Sequence, residues 1–264
     1  MKRITLFVLA CLFAIVSIGF AKEFNSSDSS FYFVQITDTH LDDSENFERT
    51  EKIIKKINAL PFDIEFVVHT GDVFDDSISD ANALKAAKKL FAKLNPPIYY
   101  IAGNHDIFSK ETKKTYIENF GQLNYIEEIH GVVFVFIYTN IKKNDSDVFS
   151  DDFFKWFEDS LKSAADKPVV VFQHIPASDD FYTNVFHKPL PAKIEKKWSK
   201  LINRYNVDAV IAGHFHRDQM DWFGDVPLYV CPPVSKWFGK QATFRVYEFK
   251  NGRLKYFSQY LDSD

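Results

Sequence analysis

Six short apolar runs, most of them closing on aspartate, asparagine or histidine, set narrow limits on how this chain can fold. Phe31 to Thr37, Ile64 to Thr70, Ile98 to Ala102, Val132 to Thr139, Val169 to Gln173 and Ala209 to Ala212 have the length and β-rich content of strands. Between them lie stretches with apolar residues at helical spacing. Asn46 to Leu60 carries Ile53, Ile54, Ile57 and Leu60 on one face, and Ala81 to Leu94 carries Leu84, Ala87, Leu90, Phe91 and Leu94. Asp151 to Ala165 and Lys193 to Tyr205 read the same way. From Gln219 onward the helices stop. Asp221 to Phe223, Val226 to Cys231, Thr243 to Phe249 and Leu254 to Tyr260 read as strands joined by turns such as Asn251-Gly252. This mixture predicts an α/β fold of two sheets packed together with helices outside. No linker or charge run divides residues 31–264, which are expected to form one domain.

The N-terminus reads as an address rather than as part of that fold. Lys2 and Arg3 precede an apolar stretch from Ile4 to Phe20, and Gly19 and Ala21 offer small residues for cleavage, so residues 1–21 are expected to be a signal peptide. The same stretch is long enough to stay as a membrane anchor, and Cys11 offers a lipoprotein-type alternative. Lys22 to Ser30 form a polar flank. The remaining chain is expected to be exported, periplasmic or secreted, touching a membrane only if the segment is uncleaved. It keeps one cysteine, Cys231, so no internal disulfide can hold it. Losing Lys2 and Arg3 takes the 32 basic residues to 30 against 36 acidic ones, a balance of −6. That surface argues against a general nucleic-acid binder, which needs a basic face.

The strand ends carry the chemistry. Thr37-Asp38-Thr39-His40 follows the first run, Gly71-Asp72 with Asp75 the second, Gly103-Asn104-His105-Asp106 the third, His174 the fifth and Gly213-His214-Phe215-His216 the sixth. Loops at the carboxyl edge of an α/β sheet converge on one crevice. Of eight histidines in the chain, five lie at these ends. Asp38, His40, Asp72, Asn104, His174, His214 and His216 make a mixed nitrogen and oxygen donor set suited to Zn, Mn or Fe. Seven donors exceed one tetrahedral ion and suit two divalent ions if one carboxylate bridges them.

In this order the motifs D-x-H, G-D-x-x-D, G-N-H-D, a lone histidine and G-H-x-H resemble the calcineurin-like metallophosphoesterases. The wording "VFQHIP" at 171–176 and "AGHFHR" at 212–217 is similar to the branch that includes the calcineurin-like phosphoesterase domain-containing protein 1 type. The resemblance implies a four-layer αββα sandwich of two mixed sheets flanked by helices. It implies that Asp38, His40 and His216 hold one metal, Asn104, His174 and His214 the other, and that Asp72 bridges. The implied reaction is hydrolysis of phosphate monoesters, on small molecules or phosphoproteins, by attack of metal-bound hydroxide. Phosphodiester hydrolysis, cyclic nucleotides included, and a non-catalytic metal-binding module are the alternatives. His105 matches the family's histidine at the leaving group, a general acid or charge stabiliser, and Asp75 would accept a hydrogen bond from it. The purple acid phosphatase branch would carry tyrosine where Asp75 stands.

Other residues stay open at this level. His69, on an apolar strand, reads as a satisfied buried histidine, and His130 receives no role. Arg217 could grip a phosphate oxygen through its planar fork or make a surface ion pair. The segment Ile175 to Pro191, with Phe181, Tyr182, Phe186 and His187, could select substrate; His187 is its candidate contact. Cys231 is expected to be a buried, unreactive thiol. Trp237 and Phe238 could line the cleft.

Overall fold

The computed structural model describes residues 30–140, 148–177, 189–205 and 207–261. The expected signal segment and His187 with its neighbours Phe181, Tyr182 and Phe186 lie outside the described residues. Among those described, no helix is long and apolar enough to cross a membrane.

The chain runs β1 (Ser30–Ile36), α1 (Ser44–Asn58), β2 (Ile64–His69), α2 (Ala81–Phe91), β3 (Ile98–Tyr100), α3 (Lys110–Phe120), β4 (Tyr125–Ile129), β5 (Val132–Phe136) and α4 (Asp151–Ser163). It continues with β6 (Val169–Phe172), α5 (Ala192–Arg204), β7 (Ala209–Ala212), β8 (Gln219–Phe223), β9 (Val226–Val230), β10 (Thr243–Lys250) and β11 (Arg253–Tyr260). One sheet has the order β11-β10-β1-β2-β3, the other β4-β5-β6-β7-β9-β8, and both mix parallel with antiparallel pairs. This is the expected αββα arrangement of two mixed sheets.

Strand alternation explains the four layers. Along β1, Phe31 and Phe33 point between the sheets, where they meet Phe66, Phe134, Phe136, Phe172 and Phe249. Val34 and Ile36 point the other way, onto Ile53, Ile54 and Ile57 of α1 and Leu90 and Phe91 of α2. On the second sheet Val133 and Val135 face Phe153, Phe157 and Leu161 of α4 and Trp198 of α5. The period of two sends successive side chains to opposite covered faces. Each fully buried phenylalanine contributes about 1.5–3 kcal/mol of transfer free energy. The aromatic layer is well ordered by shape: Phe33 stacks between Phe66 and Tyr247, each 4.9 Å away at 6°.

Two elements escape the sequence reading. Helix α3 buries only Thr112 and Tyr116, so it lacks an apolar stripe, and a Ser109/Thr112 capping box defines its start instead. Strand β4 (YIEEI) has no buried residue and mixes apolar with acidic side chains on both faces. It pairs antiparallel with β5 across His130-Gly131, both at positive φ (52° and 76°), the geometry of a type I′ hairpin. His130 Nε2 lies there 3.0 Å from Glu65 Oε1.

The apolar layer between the sheets gives way at the carboxyl edge to a polar stitch. Gln35 donates to Thr70 Oγ1 (2.8 Å) in its own sheet and to the Ala212 carbonyl (2.9 Å) in the other, and accepts from Tyr247 (2.9 Å). The two sheets are thereby fixed against each other directly beneath the loops that carry the candidate ligands.

Candidate metal centre

Each ligand-bearing loop begins just past the end of a strand, and at five of the seven donors the backbone is bent against its preference. Asp38 (φ 51°), His40 (44°), Asp72 (56°), His214 (71°) and His216 (51°) all adopt the left-handed conformation. Non-glycine residues rarely do so, and such geometry persists where surrounding contacts over-determine it. Here the contacts are visible. Asp38, His40 and Leu41 donate their N–H groups to the carbonyls of Gly71, Asp72 and Val73 at 2.9, 3.2 and 2.9 Å, zipping the first loop to the second. Gly213 N–H donates to the His174 carbonyl at 3.1 Å, joining the His174 loop to the one that carries His214 and His216. Gly71 itself lies at φ 107°, and a Cβ there would strike the His174 ring. A Cβ on Gly103 would strike the Asp72 carboxylate.

The structure brings the seven predicted donors together. Ligand atoms of Asp38, His40 and His216 lie within 4.8 Å of one another, as do those of Asp72, His174 and His214. Asn104 Oδ1 is 3.2 Å from His174 Nε2, which completes the second group. Asp72 Oδ2 is 3.1 Å from His174 Nε2 and 4.0 Å from His40 Nε2, so one carboxylate faces both groups. All but Asn104 are buried.

The contacts inside this cluster favour a cation. His174 Nδ1–H donates to the Thr70 carbonyl at 2.8 Å, which turns its Nε2 toward the oxygens of Asp72 and Asn104. In the neutral ring that nitrogen is a lone pair opposite two acceptors. His40 Nε2 and His216 Nε2 likewise meet at 3.4 Å, where only one can donate. Burial alone would strip His174 of charge, but the Asp72 and Asp38 carboxylates outweigh it and lift the imidazole to about 9. Burial pushes Asp72 and Asp38 up as well, yet His174 and His216 respectively hold both well below the usual carboxylate range. The cluster calls for positive charge, and its mixed imidazole, carboxylate and amide donors fit a divalent ion.

His105 stands over this floor, its ring 5.3 Å from that of His40 and nearly perpendicular to it at 75°. The expected hydrogen bond from His105 to Asp75 is replaced by close approach to two carboxylates. His105 Nδ1 is 3.2 Å from Asp75 Oδ1 and 3.4 Å from Asp76 Oδ1, neither in hydrogen-bond geometry. Two carboxylates share the nitrogen because Asp76, at φ 69°, turns back beside Asp75. Arg217 is half-buried, and its Nε donates to the Phe215 carbonyl two residues back at 3.4 Å.

Two further residues, Asp106 and Asn46, support the centre. Asp106, fully buried, accepts from the N–H groups of Asp72 (2.9 Å), Gly103 (2.8 Å) and Phe74 (3.0 Å), and burial pushes its carboxyl up to about 7. Its place in G-N-H-D was the available signal. Asn46 donates to the His40 carbonyl (3.0 Å) and accepts from Lys236 N–H (2.8 Å), tying α1 to the centre. Nothing local marks it. His69 is satisfied and neutral: burial holds it down at about 3, its Nδ1 accepts from Gly71 N–H at 3.2 Å, and its Nε2 is 3.0 Å from Thr39 Oγ1. Cys231 is fully buried and burial pushes its thiol up to about 12. Trp237 does line the cleft, stacked 4.0 Å from His40.

Known proteins resemble this chain in fold and in sequence. The crystal structure of a dimetal phosphatase from Danio rerio superposes with a TM-score of 0.65 over 86% of this chain and 98% of that one, at 13% identity. The Serine/threonine-protein phosphatase CPPED1 of Mus musculus is 23% identical over 247 residues, 80% of this chain and 78% of the relative. The Probable glycerophosphodiester phosphodiesterase GpdQ of Arcobacter nitrofigilis is 26% identical over 199 residues, 70% and 71% of the two. The model of the calcineurin-like phosphoesterase family matches residues 31–218. With that match covering well over half of its length, the chain belongs to the calcineurin-like phosphoesterase family and is a metal-dependent phosphoric ester hydrolase.

Proposed function

We propose that this chain hydrolyses phosphate monoesters at a two-metal centre, with Asp38, His40 and His216 holding one ion and Asn104, His174 and His214 the other. The observation that carries the reading is the Asp72 carboxylate, which faces both donor groups at 3.1 and 4.0 Å. A shared carboxylate offsets the repulsion of two close cations. When bound, such ions supply charge neutralisation for the phosphoryl oxygens and make a water acidic enough to act as nucleophile near neutrality. The protein's own part is to hold the donors in one geometry through the zipped loops and to present His105 at the leaving oxygen. With Nδ1 between Asp75 and Asp76, the other ring nitrogen is left to give a proton to the departing alkoxide.

Similarity to a serine/threonine-protein phosphatase along most of both chains supports a monoester substrate, on a phosphoprotein or a small molecule. A diester substrate is the second reading, favoured by the similarity to a probable glycerophosphodiester phosphodiesterase. The same centre serves either, since both reactions displace an oxygen from phosphorus. Turnover of an aryl monoester and the matching bis-aryl diester, with Mn, Zn or Fe, separates them. We expect faster monoester turnover, abolished in Asp72→Asn. No turnover of either ester with two ions bound would overturn the proposal. Export rests on Lys2, Arg3 and the apolar run before Ala21. A secreted product beginning at Lys22 is expected, and recovery of the uncleaved chain in the cytoplasm would refute it.

A further inference from the structure

The segment beside His40 and His216 carries two aromatic rings, Trp237 and Phe238, that proton transfer and metal binding do not use. Trp237 lies 4.0 Å from the His40 ring at 19°, stands edge-on to His105 at 6.1 Å and 86°, and is 5.7 Å from His216. Phe238 meets His216 edge-on at 5.7 Å and is 61% exposed. Aromatic surface therefore runs from beside the proton-transfer histidine outward along the rim.

This is not stray apolar surface. Phe238 adopts a left-handed backbone (φ 58°, ψ 26°), which a bulky residue rarely takes, and Gly239 follows at φ 65°. The turn is clamped on both sides. Val234 and Ser235 donate to the carbonyls of Thr37 and Asp38 at 3.0 and 3.1 Å. Lys236 N–H donates to Asn46 at 2.8 Å, and its ammonium lies 2.9 Å from both Asp43 and Glu45. Arg49 reaches the Lys240 carbonyl. Rings held in place before binding lose little freedom when a ligand arrives, so their contact surface converts well into affinity.

Resting on the hydrolase reading above, we propose that Trp237 and Phe238 form a leaving-group subsite for a planar aromatic group. The substrates it favours are phosphate esters carrying an aryl ring or nucleobase near the ester oxygen, over esters of aliphatic polyols. The exposed Phe238 ring supplies the stacking face, and Trp237, packed against His40, continues the aromatic surface inward to His105.

The test compares benzylphosphonate with cyclohexylmethylphosphonate, equal in charge and close in size, neither hydrolysable, binding the Mn-loaded full chain by calorimetry. Benzylphosphonate should bind roughly 10-fold tighter, as expected for aromatic stacking. Phe238→Leu should bring the two constants to within about twofold, while Phe238→Tyr keeps the preference. Equal binding by the unaltered chain, or a preference untouched by Phe238→Leu, overturns the subsite. Hydrolysis of the two corresponding phosphates is followed in parallel. Turnover without any aromatic preference removes the subsite and leaves the hydrolase; a binding preference without turnover does the reverse.

Discussion

The floor of the cleft and its rim are built on different principles. Side chains on the floor are hidden: Asp38 and His174 are 0% exposed, Asp72 and His216 2%. Asp38, Asp72 and His216 owe their positions to left-handed backbone at strand ends, and the loops are zipped by hydrogen bonds. On the rim, His105 is 29% exposed, Asp75 38% and Asp76 58%, and the imidazole is flanked by carboxylates without a directed hydrogen bond. Burial raises the strength of every charge interaction on the floor and the cost of leaving one unmet. Solvent weakens both at the rim. The floor can therefore accept very little change in charge, whereas the rim can vary with the substrate it meets.

The comparison is sharpened first at Asp72. Asp72→Asn keeps shape, and asparagine tolerates the left-handed backbone, so only the charge shared between the donor groups is lost. Turnover should fall on the order of 10³- to 10⁵-fold, as expected for several kcal/mol of lost charge stabilisation, and bound metal per chain should drop. Full metal content with normal turnover would show that the two donor groups work independently. His105→Ala is the rim counterpart. It should lower turnover about 10²- to 10⁴-fold, the range for acid-base groups, while metal content measured by elemental analysis stays unchanged. Metal loss in that variant would place His105 with the floor.

How much of this the sequence discloses follows the same division. The seven donors were legible because each follows an apolar run and because glycines at 71, 103 and 213 advertise tight turns. The sandwich was legible where strands are apolar, and illegible at α3 and β4, where polar residues leave no apolar period to read. Rim and supporting residues depend on where distant segments meet. Asp76 joins Asp75 only through its own backbone turn, Asn46 looks like any polar residue starting a helix, and Trp237 reaches His40 across nearly two hundred residues of chain. Periodicity and spacing report local structure, and these contacts are not local.

Sharing of His105 by two carboxylates predicts a modest effect for each. Asp75→Asn and Asp76→Asn should each lower kcat by less than about 10-fold with KM little changed, and the double variant by roughly 10- to 100-fold, the range for groups that orient a functional side chain. If Asp75→Asn alone accounts for the whole loss, the rim is as directed as the floor. His69 gives the converse test, because it is as buried as any ligand and lies on the strand leading to Asp72. Its two nitrogens are already engaged with Gly71 and Thr39 at 3.2 and 3.0 Å, and burial keeps it neutral. His69→Leu leaves the Gly71 N–H without its acceptor, a loss of about 1–3 kcal/mol in stability, visible as a lower denaturation midpoint. Metal content of the folded fraction should not change. Loss of an ion from fully folded protein would mean that burial near the floor, rather than the direction in which a nitrogen points, decides which histidines serve the centre.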